Sequence, residues 1–281
     1  PVPAQFFCVP DLYVFRMLVS QGLTLNELGV PTLDSSFFEN NPKKIWKKFS
    51  ENYYLFRGTP TAMWLDYSFE KVFGITELLT PATSDFYYNE IEKKLSQPEY
   101  LPQALFDKFN IEVLSTTDSA ISDLSLHIEM KDSKWDGRII PTYRPDSVID
   151  PQSLKFKNNL VKLGELTNED INSWDGYLNA HRSRRLFFKE MGATATDHGH
   201  PSARTENLSR KEAEHLFNRI VTEEFNSEDA DKVRRQMLTE MAKMRCEDGL
   251  VIQIHTGSRR NNSNKIVSLD NYSIGSKKNH I

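Results

Sequence analysis

The stretch GLVIQIHTGSRRNN, Gly249 to Asn262, decides how the chain is read. It opens apolar: Leu250, Val251, Ile252 and Ile254 have the composition of a parallel strand covered on both faces. It then turns polar, with His255, Gly257, Ser258, Arg259, Arg260, Asn261 and Asn262. In parallel α/β sheets and (β/α)8 barrels, functional groups gather at the carboxyl ends of strands. The pattern therefore predicts a core strand that delivers His255 and its neighbours to a working face.

Three earlier runs have the same character. IEVLSTTDSA (111–120), GRIIPTYRPD (137–146) and GATATDHG (192–199) are short, rich in β-branched residues, and each precedes a helical stretch. Strands alternating with helices mean βαβ units and a parallel sheet. Each run also ends in polar residues: Thr116, Thr117 and Asp118; Arg144 and Asp146; Asp197 and His198. Asp118 or Ser119 is the expected cap of the first following helix. A long helix is expected over 167–190, opening with Thr167-x-x-Asp170 and closing in the cationic HRSRRLFFKE, which suits its dipole. Residues 209–225 and 227–245 read as a pair of amphipathic helices.

Residues 1 to 110 lack these strands. KKIWKKFSENYYLF (43–56) places Ile45, Trp46, Phe49, Tyr53 and Phe56 at helical spacing, and its aromatics read as core. Pro60 starts a helix that Gly74 stops, and Ser84 is the expected N-cap of the next. The organisation predicted is a mostly helical region over 1–110, an incomplete (β/α) barrel over 111–266, and a tail of uncertain origin over 267–281.

Composition narrows the class. Of 281 residues, 38% are hydrophobic, and 35 Lys and Arg stand against 39 Asp and Glu, a formal charge of −4. The cations form no block, so no nucleic-acid partner is expected. Apolar runs fall short of the roughly 18 residues a membrane helix needs, so no membrane role is expected. Cys8 and Cys246 alone make no disulfide framework, and the default is a cytoplasmic protein with reduced thiols. The opening residue is Pro1, and the first segment reads like the interior of a longer protein.

His255 admits three roles: metal ligand, general base, or a polar strand end. The SRRNN behind it supplies arginine forks and amides that suit a carboxylate or sugar hydroxyls. His198-x-His200 has the spacing at which two imidazoles on a strand share one metal, although Gly199 and Pro201 mark a turning backbone. Arg144 precedes Pro145 and is held extended. It either grips a carboxylate or pairs with Asp146 or Asp118. P-loop, GxGxxG, GxSxG and HExxH patterns are absent from the sequence.

Five segments in order, LFRGTPTAMWLDYSFEKVFGI, VLSTTDSA, IIPTYRPD, ATDHG and IQIHTGSRRNN, resemble the uronate isomerases (glucuronate isomerases) of the amidohydrolase superfamily, over about Asp11 to Ile266. The resemblance implies a partial (β/α)8 TIM-type barrel, with an N-terminal helical region and a divalent metal, commonly zinc. The implied reaction is an aldose–ketose isomerisation of a small uronate sugar: D-glucuronate to D-fructuronate, D-galacturonate to D-tagaturonate. It needs a positioned base and stabilised enediolate oxygens. Carried over by position, His255 is the strand-end histidine beside the metal, and with Arg260 it is catalytic. Arg144 holds the substrate carboxylate, while Tyr13, Arg16, Asn262, Asp197 and His198 complete the substrate contacts.

The chain also departs from the pattern. It writes Asp11-Leu12-Tyr13 where the family writes Asp-His-Tyr, and residues 1–10 hold no His-x-His metal pair. Strands 2 to 5 of the family's barrel are matched, about four of eight, so the chain reads as an internal fragment that is inactive alone. A hydrolase on the same barrel, or a non-catalytic carbohydrate-binding remnant, are the other readings. Homo-oligomerisation is left open.

Overall fold

The computed structural model describes residues 1–9, 11–30 and 37–257, which form two units, 1–109 and 110–257. In the first, caps and prolines set the helix starts. Asp11 caps α1 (Leu12–Ser20), its carboxylate accepting from the Tyr13 and Val14 amides. Asn41 caps α2 (Pro42–Glu51) and Thr59 caps α3 (Pro60–Tyr67), each with proline in the first turn. Gly74, at φ +60°, takes the left-handed turn after the helical chain that continues from α3. Helices α4 (Ser84–Leu95) and α5 (Pro102–Lys108) follow. Ser84 is the first helical residue of α4 and not its cap; Thr83 precedes it without a capping bond, its hydroxyl donating to the Leu78 carbonyl instead.

The aromatic residues of this unit form its core. Trp46, Phe49, Phe56, Phe69 and Tyr87 are almost fully buried, and the Trp46 indole donates to the Ser84 carbonyl at 3.0 Å. Phe69 meets Tyr87 edge to face at 5.1 Å. Such a contact adds about 1 kcal/mol to the area it buries.

The second unit is a four-stranded parallel sheet. Its strands are β1 (Val113–Ser119), β2 (Arg138–Arg144), β3 (Ala195–His198) and β4 (Val251–Ile254), in spatial order β1-β2-β3-β4. That order never reverses, so the sheet is wound in one direction, as barrels are, and lacks the switch point of doubly wound folds. Between strands lie α6 (Ser125–Asp132), then α7 (Asp146–Ile149), α8 (Phe156–Thr167) and α9 (Trp174–Glu190), then α10 (Arg210–Val221) and α11 (Ser227–Asp248). Reciprocal capping boxes start α10 (Ser209 with Glu212) and α11 (Asn226 with Asp229). The long helix expected over 167–190 starts seven residues later, at Trp174. Thr167 ends α8, its hydroxyl bonding back to Leu163, and Ser173 caps α9. Neither Asp118 nor Ser119 caps α6, because both lie within β1; Asp118 instead accepts from Thr116 and faces His127.

One core serves this unit, built from Tyr143, Phe156, Leu163, Tyr177, Phe188, Phe217 and Met241 among others. Tyr177 stacks on Phe217 at 4.6 Å and donates to the Val148 carbonyl at 2.7 Å. Leu250 is buried, as expected, but Val251 is 53% exposed; among the described residues β4 pairs with β3 alone.

Two adjacent arginines on α9 tie the unit together. Arg184 donates to the Ala120 and Ser122 carbonyls after β1. Arg185, 1% exposed, grips Asp248 through two bonds of 2.6 and 3.0 Å at the end of α11. The cations do more than oppose the helix dipole. Arg185→Ala leaves the partly buried Asp248 carboxylate without its charge partner and is expected to cost about 3 kcal/mol or more of stability, read by urea denaturation. A loss under about 1 kcal/mol would show that solvent replaces the guanidinium.

Candidate active site

Strand alternation sorts the ends of β2, β3 and β4 into two faces. Tyr143 and His198 point into the helical layer, while Arg144, Asp197 and His255 meet on the opposite side. His255 lies just after β4, and its backbone amide donates to the His198 carbonyl at 3.1 Å, extending the ladder by one residue. Its Nδ1 stands 2.6 Å from Asp197 Oδ1, and its Nε2 stands 3.0 Å from Nη2 of Arg144. Arg144 Nη1 also reaches Asp197 Oδ2 at 3.5 Å, and its Nε donates to Asp146 Oδ2 at 2.8 Å.

This geometry fixes the tautomer of His255. A guanidinium only donates, so Nε2 is the acceptor and Nδ1 carries the proton given to Asp197. The Nε2 lone pair is directed at Arg144 Nη2. The side chain is 48% exposed, and Asp197 behind it 13%. The carboxylate orients the ring through Nδ1.

Other predicted site residues lie elsewhere. His198 is fully buried, with Nε2 2.9 Å from the Thr196 hydroxyl. The rings of His198 and His200 have centroids 5.8 Å apart. Tyr13 and Arg16 share an exposed face of α1 in the first unit. Arg260 and Asn262 lie outside the described residues. The sequence reading offered Asp146 as one partner of Arg144, and the 2.8 Å bond from Nε bears that out; it left out Gly199, which stands at the centre of the site as a space. The signal for Asp146 was present in Arg-Pro-Asp, where the proline turn folds the aspartate back on the arginine.

The divalent metal expected at His255 does not fit the described residues. They hold no group of three or more His, Cys, Asp or Glu side chains able to bind one, and the accessible nitrogen of His255 faces a guanidinium.

A histidine, an aspartate and an arginine gathered at the strand ends of a singly wound parallel sheet have the placement of functional groups in α/β barrels. The comparisons specify the family. The family model for glucuronate isomerase matches residues 9–276. Uronate isomerase of Rhizobium meliloti (strain 1021) is 53% identical over 268 residues, covering 95% of this chain and 57% of that protein. That of Mesorhizobium japonicum is 52% identical over 263 residues, covering 94% and 56%. The crystal structure of glucuronate isomerase from Caulobacter crescentus superposes with a TM-score of 0.89 at 44% identity, over 93% of this chain and 55% of that one. The uronate isomerase structure from Thermotoga maritima gives 0.78 at 26% identity, over 88% and 52%. The chain belongs to the glucuronate isomerase family. It spans about half the length of the curated relatives it matches. Among the described residues no helix is long and apolar enough to cross a membrane.

Behind the site, the Tyr143 hydroxyl contacts His181 Nδ1 at 2.7 Å. Burial pushes His181 and His198 down to about 3, helped by the nearby Arg185 and, for His198, by His200. Unfolded histidines take up protons near 6.5. Stability from the two neutral rings is therefore complete above that pH and falls as pH drops from 6.5 towards 3. Together they are expected to cost the protein up to about 4 kcal/mol between pH 7 and pH 5, measured by urea denaturation. A His181→Gln variant should show a shallower slope; an unchanged slope would place the titration elsewhere.

Proposed function

We propose that the protein carrying this chain is a uronate isomerase, converting D-glucuronate to D-fructuronate and D-galacturonate to D-tagaturonate in the cytoplasm. The observation that carries the reading is the mutual contact of Arg144, Asp197 and His255 at three neighbouring strand ends, in a chain of this family. The relatives reported are uronate isomerases, which favours this reading over a hydrolase or a non-catalytic remnant.

The residues divide the work. Arg144 has its Nε held by Asp146 and its two terminal nitrogens facing the site, the fork that a substrate carboxylate takes. Binding there draws Nη2 away from His255 and frees the Nε2 lone pair. The imidazole then removes the proton from C2 of the open-chain sugar, the C–H electron pair forms the C1–C2 double bond, and O1 gains a proton. Return of a proton to C1, with loss of the O2 proton, gives the ketose. Asp197 holds the Nδ1 proton throughout, so the ring cycles between neutral and cationic forms without turning. By their match to the family pattern, Tyr13, Arg16, Arg260 and Asn262 are kept as further site residues, with His198 behind Asp197. A divalent metal such as zinc belongs to the reading only with ligands outside the described residues.

The full-length protein given D-glucuronate in deuterated water should form a ketose that carries solvent deuterium. His255→Asn is expected to lower kcat by about 10²–10⁴-fold. Arg144→Lys should act chiefly on KM, because an ammonium loses the bidentate geometry. Absence of ketose from both D-glucuronate and D-galacturonate would overturn the reading.

A further inference from the structure

Arg144 is flexible, yet its guanidinium has one position in this site, and the structure shows what sets it. Asp146 opens α7 and folds back so that Oδ2 accepts from Arg144 Nε at 2.8 Å. The same carboxylate accepts the backbone amide of Gly199, 3.1 Å from each oxygen, at the turn after β3. Asp146 therefore ties the arginine at the end of β2 to the main chain beyond β3. A charge-assisted bond at Nε leaves Nη1 and Nη2 turned to the site, where their present neighbours are Asp197 at 3.5 Å and His255 at 3.0 Å. Gly199 supplies the room. A Cβ built there would stand 2.6 Å from Arg144 Nη2, 2.7 Å from Asp146 Oδ2 and 3.1 Å from His255 Nε2. Its φ is not in the left-handed region, so the backbone would accept alanine and only the polar cluster would not.

We propose that Asp146, with Gly199 as the space it works in, is the positioning residue for Arg144 and thereby for the carboxylate end of the substrate. The claim rests on the uronate isomerase reading. Asp146 does not touch the reacting atoms. It acts by holding the guanidinium edge where a uronate carboxylate meets two parallel N–H donors. Loss of Asp146 frees the arginine to swing toward Asp197, its remaining carboxylate neighbour in the site, which would compete with the substrate for the same donors.

A positioning role and a merely structural one separate in the kinetics. Loss of structure removes active molecules, lowering kcat and melting temperature while KM for the surviving enzyme stays put. Loss of position raises KM in an enzyme that melts as before. In the full-length protein, Asp146→Leu, which fills similar space without an acceptor, is expected to raise KM for D-glucuronate about tenfold or more, with a smaller change in kcat. Asp146→Asn keeps one acceptor oxygen and should fall between Leu and the parent. Gly199→Ala leaves Asp146 in place and displaces the guanidinium by crowding, so it should raise KM in the same way. If Asp146→Leu leaves KM unchanged, or lowers only kcat together with melting temperature, Asp146 is a structural tie and the proposal is overturned, whatever Gly199→Ala does. A parent enzyme that turns over no uronate overturns the functional reading itself and this proposal with it; an active parent with unmoved variants overturns the proposal alone.

Discussion

The βα unit depends on the pair Arg184–Arg185 in α9. Adjacent helical residues project about 100° apart, so two neighbouring guanidiniums reach different partners. One holds the carbonyls that follow β1 and the other the carboxylate that precedes β4. Both charges are largely desolvated, which is costly without partners and leaves few alternatives with them. The helix so pinned also packs Phe188 edge to face on Tyr143, the residue before Arg144. The placement of the site arginine is thus inherited from a helix behind the sheet.

The site itself is economical. Three strands each contribute one side chain, and the shared ladder sets their spacing before any side-chain bond forms. Arg144 engages Asp146, Asp197 and His255 with three different nitrogens, so two carboxylates and a neutral ring surround one cation. A donor-only group against an imidazole nitrogen makes the ring choose its tautomer without any further residue. The buried histidines behind the sheet have a different role. They pack as small polar rings, and their neutrality comes from lack of water rather than from a dedicated partner.

Much of this was legible in the sequence, for identifiable reasons. Short β-branched runs with polar ends gave the four parallel strands, because strand composition and strand-end chemistry are local. Pro60 and Gly74 marked their boundaries because each acts through its own backbone. Thr167 and Ser84 misled because a capping residue is recognisable only with its φ and ψ: the Thr167 hydroxyl bonds back to the Leu163 carbonyl, and that of Ser84 turns to the Ser50 hydroxyl. The exposure of Val251 was invisible because an apolar run does not say how many neighbours its strand has. Arg144, Asp197 and His255 were each singled out, but their contact spans 111 residues of chain and only the sheet order brings it about. Asp146 was offered as a partner of Arg144, but its tie to Gly199 was missed because an accepted amide and a missing Cβ leave no compositional trace.

The four residues of β3 also bear on how the chain reaches its fold. Ala195 and Asp197 belong to one face, Thr196 and His198 to the other, and the strand meets β2 through a single register pair, Tyr143 with Thr196. So short a strand has little ladder energy with which to choose its alignment. A slip by one residue would turn Asp197 into the buried helical layer and bring the imidazole of His198 out, desolvating the carboxylate and removing it from Arg144 and His255. Burial of that carboxylate disfavours the slipped register. The aspartate that orients the histidine also proofreads the strand that carries it.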